Sequence, residues 1–162
     1  ALCEYGVKLG ADIPFCIKGG IALTEGIGEV MSDVDGSVDM YVVIAKPPIS
    51  VSTKYVYETL DSKEYAHPDM DGVLEGYATG NLSKIISSMG NVLEEVTASE
   101  YEIIDILKKD FIKCGANGSI MSGSGPTVFG IFDNKEAALF AEKKMQELHK
   151  DVFVKAADTI DE

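Results

Sequence analysis

The chain has 162 residues, of which 46% are hydrophobic and 25% charged, so it can bury the core of one ordinary domain and is neither disordered nor collagen-like. None of its apolar runs approaches the roughly 20 residues that a transmembrane helix needs. Lysine supplies all 14 basic residues against 27 acidic ones, and the net charge of −13 disfavours nucleic acid and anionic lipid as partners. An anionic small molecule remains compatible if backbone N–H groups and a few lysines converge locally.

The number and spacing of the cysteines and histidines predict neither disulfide bonds nor a metal site. Cys3, Cys16 and Cys114 are odd in number and far apart, which is typical of a reducing cytoplasm. His67 and His149 lie in no zinc-binding pattern, and we expect both to be structural or surface residues. We therefore predict no metal site in these residues.

The first part of the chain predicts a helix end followed by a small hairpin. Residues 1–8 resemble the end of a helix without an initiator Met, and we expect the chain to be cut from something longer. Gly10 and Pro14 then interrupt any helical pattern. Residues 21–24 and 29–31 predict two paired strands around a glycine-bearing turn.

The middle of the chain predicts one buried strand followed by short helices. The strand covers 40–45, an unbroken run rich in β-branched residues that Pro47 and Pro48 stop. Ser52 or Thr53 can cap the first helix. The predicted helices cover 54–60, about 70–77 and 82–88.

Two capping boxes predict the helices of the last part. Ser99 with Glu102 opens one helix, and Gly115 follows its last turn. Asp133 with Glu136 opens another, which runs to about residue 148. The expected inward residues of the first helix are Ile103, Ile104, Leu107 and Phe111, and those of the second are Ala137, Ala138, Ala141, Met145 and Leu148. The accompanying strands are expected at 119–121, 127–132 and 152–154.

The order of these elements predicts an α+β fold. From Met40 onward it is strand, helices, strand, tight loop, strand, helix, strand. A ferredoxin-like split βαββαβ sandwich with extra helices inserted after the first strand satisfies that order. Residues 1–35 do not complete this sheet and are expected to belong to the edge of another domain.

The segment from Ser122 to Thr127 is the strongest local signal for chemistry. Gly123 and Gly125 allow a sharp turn that exposes successive N–H groups, which suits an anion. The segment is neither a Walker A loop nor a dinucleotide fingerprint, because no Gly-Lys-Ser/Thr follows and a strand comes next. A hairpin that needs small residues for close packing is an equally good interpretation.

Two further positions carry chemical groups in a constrained setting. Asp12, between Gly10 and Pro14, is placed to act as a general base, although a carboxylate that bonds its own backbone is the commoner case. Thr53 and Tyr57 share one helix face, so a hydroxyl and an aromatic ring could meet one flat ligand. Packing of Tyr57 in the core is the ordinary alternative.

Taken together, four segments resemble the GHMP kinase superfamily. They are similar in particular to its members that phosphorylate a cytidine diphosphate-linked methylerythritol in non-mevalonate isoprenoid synthesis. The likeness covers about residues 1–155, and the four segments are jointly specific. The segments are 9–29, around Leu-Gly-Ala-Asp-Ile-Pro-Phe; 46–57, from Lys-Pro-Pro to Tyr57; 91–94, Asn-Val-Leu-Glu; and 121–129, Met-Ser-Gly-Ser-Gly-Pro-Thr-Val-Phe.

The resemblance implies a role for each candidate residue. Asp12 would take the proton of the substrate hydroxyl as it attacks the γ-phosphate of ATP. Tyr57, where the family often has Phe, would stack on the cytosine, with Thr53 bonding nearby. The phosphate-region loop would consist of Ser122, Gly123, Ser124 and Gly125.

The resemblance also implies the surroundings of the site. ATP and Mg²⁺ would serve as co-substrate in the cytoplasm. Residues 1–38 would be a remnant of the N-terminal, ATP-binding domain, and residues 39–162 the C-terminal domain. An exposed apolar edge in the first of these could support a homodimer.

Two departures from the family pattern limit what the chain is expected to do. Val92 stands where the family usually has Asp. The family's catalytic-lysine motif and its glycine-serine-rich ATP loop do not occur in these residues, and we expect little or no kinase activity from the chain alone. Another GHMP kinase, or a non-catalytic ferredoxin-like ligand-binding or regulatory module, is the alternative.

Overall fold

The computed structural model describes residues 2–60 and 65–159. Its first part contains two short helices and a two-stranded antiparallel sheet, β1 with β2, in which Ala22 pairs with Asp33. These elements are α1 (Leu2–Gly6), α2 (Ile13–Lys18), β1 (Ala22–Glu25) and β2 (Val30–Asp33). The predicted hairpin is confirmed, whereas α2 was not predicted. Pro14 stands in the first turn of α2, where its missing N–H costs no hydrogen bond.

The second part is built on a four-stranded antiparallel sheet with strand order β4–β5–β3–β6. Its elements are β3 (Tyr41–Lys46), α3 (Thr53–Leu60), α4 (Met70–Ala78), α5 (Leu82–Ser88), α6 (Val92–Glu100), α7 (Ile103–Lys113), β4 (Gly118–Met121), β5 (Val128–Phe132), α8 (Lys135–Leu148) and β6 (Phe153–Asp158). This strand order and the two helices α7 and α8 confirm the predicted split βαββαβ sandwich, with α3 to α6 inserted after its first strand. No helix in the described ranges has both the length and the apolar character that crossing a membrane requires.

The apolar core lies between this sheet and the helices α7 and α8. Val43 in the central strand β3 is fully buried, as the unbroken apolar run predicts. Helix α7 buries Ile104, Leu107 and Phe111 against β4 and β5. Gly130 lies beneath the Phe111 ring, where a β carbon would come within 2.8 Å of Cδ1. The sheet can therefore accept the ring only because this position has no side chain.

Both predicted capping boxes are wrong, for local reasons. Ser99 lies inside α6, a helix that the sequence analysis missed, and its hydroxyl donates to the Val96 carbonyl at 2.7 Å. Glu102 is the N-cap of α7, with no side-chain cap hydrogen bond. At α8 the N-cap is Asn134, whose Oδ1 accepts from the N–H of Ala137 at 2.8 Å. Asn134, the residue after Asp133, therefore caps α8 instead of Asp133.

The predicted inward residues of α8 and the predicted cap of α3 are partly confirmed. Leu148, expected to face inward, is 59% exposed, since α8 ends there and the chain turns into β6. Ala138, Ala141 and Met145 are buried as expected. Ser52, not Thr53, accepts from the N–H of Tyr55 at 3.3 Å at the start of α3.

Replacement of Phe111 by alanine should lower the free energy of unfolding by about 3–5 kcal/mol, because it leaves a cavity under α7. Urea denaturation of the variant against the unmodified chain measures the loss. Ile112→Ala on the same helix is the matched control, since Ile112 is 51% exposed, and should cost about 0.5 kcal/mol or less. Equal losses in the two variants would contradict this description of the core.

Candidate functional site

The loop from Ser122 to Thr127 joins the adjacent strands β4 and β5. The N–H of Ser122 donates to the Thr127 carbonyl at 2.8 Å, and the N–H of Gly125 donates to the Ser122 carbonyl at 2.9 Å. Gly123 and Gly125 have φ of +54° and +82°, a backbone conformation that favours glycine. The predicted tight loop is therefore present, with the glycines where left-handed backbone is needed.

Helix α6 holds this loop by polar side chains on one of its faces. The Asn91 Nδ2 donates to the carbonyls of Met121 and Gly123, both at 2.8 Å. Glu94 accepts from the N–H of Met121 at 2.8 Å, and the Thr97 hydroxyl donates to the Ser124 carbonyl at 3.0 Å. Asn91, Glu94 and Thr97 are spaced three residues apart, so they follow one side of the helix.

The start of α6 explains why Asn91 suits this place. Its Oδ1 accepts from the N–H of Leu93 at 3.0 Å and caps the helix, while its Nδ2 reaches the loop. One amide thus satisfies a free helix N–H and the carbonyls of Met121 and Gly123, which a carboxylate could not do because it has no donor. Val92, the departure from the family pattern, is half-buried and packs against the core.

Helix α3 carries two predicted substrate residues, and one of them contacts the same loop. The hydroxyl oxygens of Thr53 and Ser124 lie 2.8 Å apart. Tyr57 lies one turn further along α3, and its side chain is 52% exposed, so the ring is not part of the core. The structure therefore brings Thr53 to the loop and leaves the Tyr57 ring free on the same helix.

Tyr55 anchors α3 to the end of α6. Its hydroxyl donates to the Glu100 carboxylate, and this hydrogen bond raises the pKa of Tyr55 above its ordinary value of 10.0. The raised pKa favours the neutral form of the hydroxyl, which is the form that donates to the carboxylate. Thr53 and Tyr55, both in the first turn of α3, thus tie this end of the helix to the loop and to α6.

Asp12 lies in a separate surface cavity in the first part of the chain. This cavity of about 250 Å³ is lined by Ala11, Asp12, Phe15, Cys16, Ala22, Thr24 and Gly28. Asp12 is the N-cap of α2 and is exposed, but its carboxylate makes no side-chain cap hydrogen bond. The carboxylate is available for other chemistry, yet neither α3 nor the loop contributes to the lining of its cavity.

The described residues contain no group of three or more His, Cys, Asp and Glu side chains that could hold a metal ion. His67 is exposed, and Nε2 of His149 lies 3.0 Å from the Asp110 carboxylate. Hydrogen bonds from Lys113 and from His149 lower the pKa of Asp110 despite its burial. The pair of His149 and Asp110 connects the C-terminal parts of α8 and α7 and lies outside the loop, so its role is structural.

Comparison with known sequences identifies the class of protein. Residues 74–151 match the family described as "GHMP kinases C terminal". This range begins in α4, contains α6 and the whole loop, and ends just before β6. The chain therefore contains a GHMP kinase C-terminal domain.

Curated relatives are similar over nearly the whole chain. A protein from Lachnospira eligens named 4-diphosphocytidyl-2-C-methyl-D-erythritol kinase is 45% identical over 147 residues, covering 90% of this chain and 51% of the relative. One of the same name from Clostridium botulinum (strain Eklund 17B) is 46% identical over 154 residues, covering 94% of this chain and 55% of the relative. The chain thus spans about half the length of the curated relatives it matches.

Solved structures share the fold at lower identity. A crystal structure of a 4-(cytidine 5'-diphospho)-2C-methyl-D-erythritol kinase aligns with a TM-score of 0.79 and 22% identity, covering 99% of this chain and 58% of that one. A homoserine kinase from Cytophaga hutchinsonii aligns with a TM-score of 0.76 and 22% identity, covering 93% of this chain and 51% of that one. These likenesses show the fold alone.

Sequence analysis missed two of the residues that hold the loop. Asn91 and Glu94 were singled out only through the family resemblance, and Thr97 was not singled out at all. Nor was Lys108, whose ammonium pairs with the Glu94 carboxylate. An Asn directly before an apolar helical stretch is an N-cap signal and could have located α6. Nothing in the local sequence indicates that Thr97 bonds to Ser124, 27 positions away, or that Lys108 pairs with Glu94, because those contacts are made only by folding.

Replacement of Asn91 by alanine should lower the free energy of unfolding by about 2–3 kcal/mol, because it removes a helix cap and two loop hydrogen bonds. Asn81→Ala removes only a cap, the bond to the N–H of Lys84 at 3.0 Å, and should cost about 1 kcal/mol. Urea denaturation measures both, and NMR should show the amide signals of the loop shifted only in Asn91→Ala. An unshifted loop in that variant would show that Asn91 does not hold it.

Proposed function

We propose that this chain is part of an ATP-dependent kinase that phosphorylates the 2-hydroxyl of 4-diphosphocytidyl-2-C-methyl-D-erythritol. The observation that carries the proposal is the 45% identity, over 90% of the chain, to a relative of that name. The loop held between α6 and α3 supports it, since the loop offers a small polar surface and the helix α3 that contacts it carries an exposed aromatic ring. The reaction would serve isoprenoid synthesis by the non-mevalonate route.

Asp12 is the proposed general base. Phosphoryl transfer depends on positioning and on charge stabilisation, with one carboxylate accepting the proton of the attacking hydroxyl. The Asp12 carboxylate makes no cap hydrogen bond and borders an open cavity, so a bound hydroxyl could reach it. In this proposal the substrate spans from that cavity to the second part of the chain.

Tyr57 and Thr53 are the proposed contacts to the cytidine side of the substrate. The half-exposed Tyr57 ring offers a face on which cytosine can stack. Thr53 is exposed, and its hydroxyl, 2.8 Å from that of Ser124, can bond to a substrate and to the loop together.

The loop is the proposed phosphate region. Among the described residues, none accepts a hydrogen bond from the backbone N–H of Gly123 or of Ser124. The carbonyls of Met121, Gly123 and Ser124 are meanwhile occupied by side chains of α6. Free donors beside occupied acceptors favour an anionic ligand, which agrees with a diphosphate-bearing substrate.

ATP, with Mg²⁺ bound to it, is the proposed phosphoryl donor, and we assign no Mg²⁺ ligand to the described residues. The proposal divides the chain into residues 1–38, from the ATP-binding domain, and residues 39–162, the C-terminal domain. Its place would be the cytoplasm, which the free thiols of Cys3, Cys16 and Cys114 support. We expect the chain by itself to bind substrate and to transfer little or no phosphate.

Calorimetric titration of the chain with 4-diphosphocytidyl-2-C-methyl-D-erythritol tests this function. We expect saturable binding that Tyr57→Ala weakens by about tenfold or more, the loss of one stacked ring. Tyr57→Phe is the matched control and should keep the affinity, because the ring face remains. Asp12→Asn should also bind, since the proposed base acts on the transferred proton and not on affinity. Binding that Tyr57→Ala leaves unchanged would contradict the proposed cytidine contact.

We also propose that the chain associates as a homodimer through the apolar edge of its first part. Ile13, Phe15 and Ile17 on α2 are 37%, 39% and 45% exposed, and Leu9 just before them is 84% exposed. Light scattering at increasing concentration should show a rising mass, and a double substitution Phe15→Ser with Ile17→Ser should reduce it because it removes apolar surface. A monodisperse monomer at high concentration would contradict the dimer.

A further inference from the structure

A charged pair connects the core helix α7 to the start of the loop. The Lys108 ammonium on α7 pairs with one oxygen of the Glu94 carboxylate on α6. The other oxygen accepts from the N–H of Met121 at 2.8 Å. Met121 is the last residue of β4, and the loop begins at the next position. Three elements therefore meet at one carboxylate.

The pair is partly buried, so its geometry is more constrained than that of a surface pair. The side chain of Glu94 is 15% exposed and that of Lys108 is 28% exposed. Its neighbour Lys109 differs, since it is 70% exposed and pairs with Asp105 on its own helix at 3.9 Å. A partly buried carboxylate that keeps a cation and an N–H donor together holds a defined position, whereas an exposed pair contributes little.

Both backbone polar groups of Met121 are bound by side chains of α6 or its N-cap. Its N–H is bound by Glu94 and its carbonyl by Asn91, so the strand end that enters the loop has little freedom. The N–H groups of Gly123 and Ser124, which have no acceptor within residues 2–60 and 65–159, follow within three residues. Their position is consequently set by where the Met121 peptide lies.

We propose that Glu94 and Lys108 are a positioning pair for this loop: Lys108 orients the Glu94 carboxylate, the carboxylate fixes the N–H of Met121, and the free N–H groups of Gly123 and Ser124 are thereby placed for a phosphate group. The last step rests on the proposed function. Neither residue is proposed to touch the substrate.

Hydrogen exchange of the ¹⁵N-labelled chain tests the hold on the loop. In Lys108→Met the N–H of Met121 should exchange at least about tenfold faster, because the carboxylate that protects it is no longer oriented. Lys108→Arg keeps a cation and should restore slow exchange, and Lys109→Met, the matched control, should exchange as the unmodified chain does. The N–H of Val43 in the central strand reports global opening and should be unchanged in all three.

Titration with 4-diphosphocytidyl-2-C-methyl-D-erythritol tests the consequence for the ligand. Lys108→Met should raise the dissociation constant about fivefold or more, with rescue by Lys108→Arg and no change in Lys109→Met. Unchanged Met121 exchange in Lys108→Met, or faster exchange of Val43 and Met121 together, would overturn the positioning role. Faster Met121 exchange with unaltered affinity would overturn its link to the ligand.

The two proposals fail in different ways. A chain that shows the expected exchange pattern and binds no substrate would overturn the proposed function, while the hold of Lys108 and Glu94 on the loop would stand. A chain that binds substrate and shows unchanged exchange in Lys108→Met would support the function and overturn the positioning pair.

Discussion

The polar face of α6 is the constraint on which the candidate site depends. Its side chains bind the backbone of Met121, just before the loop, and the carbonyls of Gly123 and Ser124 within it. Thr97 shows how strict this constraint is, because it is 1% exposed and its hydroxyl is satisfied by the Ser124 carbonyl. A buried hydroxyl without such a partner would be costly, so the helix and the loop stabilise each other.

The groups proposed for function are distributed over two parts of the chain. The carboxylate of Asp12 lies with the two-stranded sheet, whereas Thr53, Tyr57 and the loop belong to the four-stranded domain. Phosphoryl transfer needs little covalent help from a protein and much positioning, so rigid placement of each group matters more than the number of groups. The α6 contacts supply that rigidity on the loop side.

Local signals in the sequence failed at the starts of α7 and α8. Asp133 and Asn134 are both good helix caps, and the structure uses the amide of Asn134. Ser99 and Glu102 match a capping box, yet Ser99 lies within α6 and bonds back to Val96. In each case a four-residue pattern does not determine which residue stands at the helix end.

The sequence by itself determined the α+β class, the central strand, the glycine-bearing loop and most of the inward faces of α7 and α8. These features follow from apolar periodicity and backbone preference, which act between residues close in the chain. Only the tertiary structure decided that Thr53 meets Ser124 across 71 positions, that α6 holds the loop, and that Lys108 reaches Glu94. Those contacts join residues distant in sequence, and they form only when the buried core brings α3, α6 and α7 beside the sheet.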